Sequence, residues 1–162
     1  MDRVEIYAAA SGTDWALARE MIREYADLLG VDLCFQNLAE ELETLETMYG
    51  PPRGIMILAK RHGRNVGCVA VRGISTDTCE MKRLYVRSEA RGKGVGRALA
   101  IEAISRATAL DYRRIVLDTL VNMTEARNLY QTLGFRQCAP YYENPLRGAV
   151  YLELAIDRDA GS

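Results

Sequence analysis

Apolar residues recur along this chain with two different periods, and the period changes from segment to segment. Val4 to Ala10 is apolar enough for an opening strand. Ser11-Gly12-Thr13-Asp14 then offers a turn and side chains suited to capping a helix. Trp15, Ala18, Ile22, Tyr25 and Leu29 step by three and four, which places them on one helical face, and Gly30 stands where that helix should end. Phe35, Leu38, Leu42, Leu45 and Tyr49 repeat the stepping. They predict a second helix, stopped by Gly50-Pro51-Pro52, with Glu40, Glu41, Glu43 and Glu46 mostly off its apolar stripe.

From Gly54 the pattern turns to strands. Gly54 to Lys60 and Val66 to Ile74 flank the turn His62-Gly63-Arg64-Asn65 and predict a hairpin. Thr78 to Val86 predicts the next strand. Simple alternation there sets Glu80, Lys82, Leu84 and Val86 on one face, and Cys79, Met81, Arg83 and Tyr85 on the other. Val95, Leu99, Ile101, Ala103, Ile104 and Ala107 mark a helix of about 16 residues, roughly 24 Å long. Arg114 to Leu120 follows as a strand, and a helical crossover makes it parallel to 78–86. Thr124 opens a short helix with Ala126, Leu129, Tyr130 and Leu133 turned inward and Gly134 at its end. Phe135 to Ala139 and Ala149 to Ile156 are the closing strands, joined by an aromatic loop over 140–148.

Composition narrows the class. A chain of 162 residues that is 49% hydrophobic suits one globular domain, here 1–158, with a short disordered tail at 159–162. A net charge of −1 gives no bulk pull toward nucleic acid or an anionic membrane. No apolar run approaches the ~18 residues of a membrane span. The opening Met1-Asp2-Arg3-Val4-Glu5 lacks a signal-peptide pattern. Cys34, Cys68, Cys79 and Cys138 are scattered without a CxxC pair, and His62 is the only histidine. A cytoplasmic protein with packed thiols and no metal is the expectation.

Candidate chemistry concentrates in Leu84-Tyr85-Val86-Arg87-Ser88-Glu89-Ala90-Arg91-Gly92-Lys93-Gly94-Val95-Gly96-Arg97. A strand leads into a loop with three glycines between positions 92 and 96, and a helix follows. Glycine lets backbone approach a ligand closely. The first turn of a helix has N–H groups without internal partners at the positive end of its dipole, so the loop is suited to phosphate. It is not a Walker A site, because Gly94 follows Gly92-Lys93 where Ser or Thr belongs. It is not a dinucleotide fingerprint either, because Leu99 stands where Gly or Ala belongs. A tight turn shaped for geometry alone is the other reading of the loop by itself.

About thirty residues after Arg91-Gly92-Lys93-Gly94-Val95-Gly96 comes Ala126-Arg127-Asn128-Leu129-Tyr130-Gln131-Thr132-Leu133-Gly134-Phe135. With the order of elements over nearly the whole chain, this pair of motifs closely resembles the GNAT superfamily of N-acetyltransferases. The resemblance implies an α/β mixed sheet of about seven strands flanked by about four helices, with the fourth and fifth strands, 78–86 and 114–120, splayed apart. It implies acetyl-CoA or another acyl-CoA as cofactor. Arg91 and the backbone of Gly92, Lys93, Gly94, Val95, Gly96 and Arg97 would hold the pyrophosphate. Leu84, Tyr85 and Val86 would carry the pantetheine arm like an added strand, with Asn122 and Asn128 also in the cofactor set. Many members have Asn seven residues before the tyrosine; that position is Met123 here, so either Asn122 substitutes or the contact is absent.

The resemblance places Tyr130 near the thioester sulfur. A phenol, with pKa about 10 against about 8.5 for a thiol, keeps its proton at neutral pH and can donate to a leaving sulfur. Glu80 is the candidate base for the attacking amine, directly or through water, with a cross-strand ion pair as the other reading. Asp118 and Glu153 are further acids on neighbouring strands. Phe35, Tyr141, Tyr142 and Asn144 are candidate walls for the acceptor. The glutamates at 40–46 either attract a cationic amine or form a solvated face. The expected activity is direct transfer to a primary amine of a small molecule or peptide in a ternary complex. A non-catalytic acyl-CoA sensor on the same fold is the alternative, and a homodimer stays open. A nucleic-acid role has no basic stripe behind it.

Overall fold

The computed structural model describes residues 3–29, 38–142 and 148–156. In chain order they form β1 (Val4–Ala8), α1 (Gly12–Leu29), α2 (Leu38–Glu43), α3 (Leu45–Tyr49), β2 (Ile55–Arg61), β3 (Arg64–Gly73), β4 (Thr78–Val86), α4 (Val95–Ala109), β5 (Arg114–Leu120), α5 (Thr124–Thr132), β6 (Arg136–Gln137) and β7 (Ala149–Ala155). Seven strands make one sheet in the order β1-β2-β3-β4-β5-β7-β6. Only β4 and β5 run parallel, as the helical crossover requires; the other pairs are antiparallel. This is the mixed sheet that the family resemblance implies.

Local chemistry starts the first helix. Asp14 Oδ2 accepts from the N–H groups of Ala10 and Ser11, and Ser11 Oγ accepts from the Asp14 N–H, a reciprocal cap. Trp15, Ala18, Met21 and Ile22 then bury against the sheet. Alternation in β2 divides the core. Met56 and Leu58 meet Trp15, Ile22, Leu45 and Tyr49 on the α1–α3 side. Ile57 and Ala59 meet Val95, Leu99 and Ala103 on the side of α4 and α5.

Three expectations need correction. The second helix is two short ones, broken at Thr44, whose Oγ1 bonds back to the Glu40 carbonyl at 2.8 Å and competes with the helix ladder. Glu41 is not on a solvated face. It is 3% exposed and gripped by Arg83 through two bonds of 2.9 Å. The third concerns β4. Its register against β3 slips by one residue, from Cys68↔Tyr85 to Ala70↔Lys82, and Arg83 sits at φ 61. This bulge inserts one residue and reverses the alternation after it. Glu80 therefore faces the α1–α3 side with Arg83 and Tyr85, while Cys79, Met81, Leu84 and Val86 face α4.

The bulge also bends β4 away from β5. Those strands pair at Thr78↔Arg114, Cys79↔Ile115 and Glu80↔Val116 and then part. Each keeps its outer neighbour, β4 with β3 as far as Val86 and β5 with β7 as far as Leu120.

Candidate functional site

A cleft of about 600 Å³ opens where β4 and β5 separate. Leu84, Tyr85 and Val86 line it from the strand. Arg91, Gly92, Gly94, Val95, Gly96 and Arg97 line it from the loop and the first turn of α4, and Asn122 and Met123 from the approach to α5. Gly92 and Gly94 adopt φ 76 and 81, in the left-handed region that side chains disfavour. A Cβ at either would meet nothing within 4 Å, so the glycines serve backbone shape and leave space beside the chain. Arg91 Nε donates to the Val86 carbonyl at 3.0 Å and ties the loop to the end of β4. The helix ladder begins with the Ala98 N–H on the Gly94 carbonyl, so the amides of Val95, Gly96 and Arg97 lie ahead of it. The chemistry of this end is that of an anion site.

A narrower pocket of about 70 Å³ lies deeper in the gap. Tyr130 of α5 lines it with Lys82 and Leu84 of β4, Asp118 and Thr119 of β5, and Tyr25 of α1. Tyr130 is 7% exposed and packs edge-on against Phe135, with ring centres 5.6 Å apart. Burial pushes its hydroxyl well above the usual phenol range, and the charge of Asp118 adds to the shift. The group therefore keeps its proton through neutral and mildly alkaline pH.

Glu80 sits at the last paired position before the gap and is 1% exposed. Arg72 Nε holds its Oε1 at 2.8 Å, and the Tyr141 hydroxyl donates to its Oε2 at 2.6 Å. Tyr141 thus stands in front of the carboxylate. Its oxygen is also 3.5 Å from Asp118 Oδ1, and Tyr142 donates to Asp118 Oδ2 at 2.7 Å. Tyr151 of β7 completes the cluster by donating to the Tyr142 carbonyl at 3.1 Å. Burial pushes the hydroxyls of Tyr141 and Tyr142 up; Glu80 adds to the first, and hydrogen bonding to Asp118 adds to the second.

The remaining sequence candidates fall elsewhere. Lys93 is not on the cleft wall. Asn128 lines a separate groove of about 430 Å³ beside β7. Phe35 and Asn144 lie outside the described residues. Tyr85 lines the cleft while its hydroxyl donates to Glu24 of α1 at 3.0 Å, beside the Arg87–Glu24 ion pair.

Residues 17–135 match the acetyltransferase (GNAT) family. The chain belongs to that family. An uncharacterised N-acetyltransferase of Schizosaccharomyces pombe is 44% identical over 140 residues, which cover 85% of this chain and 86% of that protein. Human N-acetylaspartate synthetase is 33% identical over 131 residues, 80% of this chain and 41% of that protein. A Salmonella typhimurium acetyltransferase, solved with its cofactor acetyl-CoA, matches with a TM-score of 0.69 at 21% identity, covering 97% of this chain and 96% of that one. This GNAT chain is an acyltransferase. No helix among the described residues is long and apolar enough to cross a membrane.

Sequence reasoning on this GNAT chain passed over Lys82 and Tyr151, both now next to the candidate chemistry. Tyr151 carried a usable signal, an aromatic one strand away from Asp118 and paired with it in register. Lys82 carried one too, since simple alternation already set it on the face of Glu80.

Proposed function

We propose that this protein transfers an acetyl group from acetyl-CoA to a primary amine by direct attack in a ternary complex. The observation that carries this reading is the partial pairing of β4 and β5. They part beyond Glu80 and Val116, and the gap joins the glycine-loop cleft to Tyr130. When bound, acetyl-CoA supplies the acyl group as an activated thioester. Arg91 and the backbone from Gly92 to Arg97 hold the diphosphate end. The free edge of β4 near Leu84 and Val86 takes the pantetheine amides as a strand would, with Tyr85 and Asn122 at its sides.

Tyr130 holds a proton beside the leaving sulfur and delivers it as the carbon–sulfur bond breaks. Glu80 receives the proton that the amine gives up as its nitrogen bonds the acyl carbon. The Tyr141 hydroxyl lies between them and relays it, taking a proton on one side while passing its own to Glu80 Oε2. The products are an N-acetylated amine and free CoA, and solvent exchange restores Tyr130 and Glu80.

The test is CoA release across a broad panel of amines. An acidic amino acid belongs in that panel, since N-acetylaspartate synthetase is among the relatives. Release with at least one amine supports the reading. Tight acetyl-CoA binding with no release from any amine would instead favour a non-catalytic acyl-CoA sensor.

A further inference from the structure

Three cations stand together near the gap on neighbouring strands: Arg72, Lys82 and Arg83. Two are taken. Arg72 is held by Glu80 at 2.8 Å and Arg83 by Glu41 at 2.9 Å. For Lys82 no carboxylate among the described residues comes within ion-pair distance. It is partly buried and lines the small pocket beside Tyr130. Burial draws its ammonium below the usual lysine range, and the attraction of Glu80 only partly opposes this. A cation stripped of water in this way gains most from an anion that arrives with a ligand. On the other wall of the same pocket is a carboxylate, Asp118.

Resting on the acetyltransferase reading above, we infer that the acceptor is a small zwitterion, an amine with a carboxylate a few bonds from its nitrogen. Lys82 binds the carboxylate, and the amine lies toward Asp118. Other charge patterns fit worse. A polyamine would bring a second cation against Lys82. A peptide N-terminus has an amide in place of the carboxylate and leaves Lys82 without its anion. A space of about 70 Å³ corresponds to only about two water volumes, so it accommodates the reacting groups of a small acceptor and little more.

The experiment uses matched acceptors: free amino acids, their primary amides and the corresponding decarboxylated amines, with CoA release measured at saturating acetyl-CoA. The free acids should show the higher kcat/KM. Lys82→Met should lower kcat/KM for the acids by about 10- to 100-fold, mainly through KM, the worth of a hydrogen bond to a charged group. The ratio of acid to amide should fall toward one. Lys82→Arg should keep most of the preference, because it restores the charge. Acetyl-CoA affinity and melting temperature, read on the same variants, separate a lost contact from a lost fold. Equal kcat/KM for acid and amide in the wild type, or a preference that survives Lys82→Met, overturns the inference and leaves the acetyltransferase reading standing. No CoA release from any amine overturns both.

Discussion

Tyr130 keeps its proton because burial has removed the water that would stabilise its phenolate. In the proposed mechanism it therefore serves as a proton donor and not as a nucleophile. Tyr130→Phe should lower turnover by about 10²- to 10⁴-fold, the usual worth of a placed acid, with acetyl-CoA affinity nearly unchanged. Steady-state kinetics beside calorimetric binding reads both quantities, and unchanged turnover removes Tyr130 from the role. A second residue-scale consequence belongs to Arg83 and Glu41. Removing one partner strands the other charge in the core, so Arg83→Met should cost about 3–5 kcal/mol in urea unfolding, and adding Glu41→Leu should recover part of it. Burial raises the pKa of Glu41 but Arg83 outweighs it, so its carboxyl titrates below the ordinary 4.5 in the folded state. A lowered folded-state value means stability that is present above the unfolded value and lost as pH falls through the folded one. The double variant should therefore lose less stability than the wild type between neutral pH and pH values below about 4.5. The position of Tyr130 beside the gap was legible because its motif is local in sequence. The Arg83–Glu41 pair was not, because its members are 42 residues apart and an unmarked bulge decides where Arg83 points.

Among the elements, α4 and its loop were the most legible and β4 the least. A glycine loop advertises itself by composition, and the stripe Val95, Leu99, Ala103, Ala107 lies on the core as its spacing demands. Ile101 joined that stripe on paper yet is 47% exposed, since a helix of small residues reads as apolar nearly all round. In β4 the alternation rule holds up to Lys82 and fails after it, and no glycine or proline marks the slip. The loop yields an element-scale prediction with its own control. Gly94 and Gly63 both adopt positive φ, 81 and 75, and both face open space. Alanine at either should cost ~1 kcal/mol of stability through backbone strain. Glutamate should differ between them. Gly94→Glu puts bulk and negative charge at the proposed diphosphate site and should abolish acetyl-CoA binding in a titration, whereas Gly63→Glu should leave it intact. Equal binding by the two glutamate variants places the cofactor elsewhere.

For the whole molecule, the β2–β3 hairpin and the parallel crossover from β4 to β5 were readable from the succession of helical and strand periods, whereas the place of β7 between β5 and β6 was not. The opening of the sheet came only through the family resemblance, because pairing that stops after three residue pairs leaves no trace in composition. A ligand lying along β4 would bind the folded chain and not the unfolded one. Acetyl-CoA at 100 times its Kd should then stabilise the protein by about 2.7 kcal/mol, which for a chain of this length is a rise in Tm of roughly 5–10 °C, measurable by calorimetry. The same opening has a cost in solubility. Residues 81–86 and 117–120 are strand edges inside the molecule, each with an outer neighbour and none across the gap. Open edges are templates for a foreign strand, and proteins usually blunt them with charge, proline, a bulge or a covering loop. In β4 the bulge at Arg83 and the charge of Lys82 serve this purpose, whereas a covering element would close the site. The gap that the proposed activity uses is thus also where self-association is to be expected, most of all in the ligand-free form.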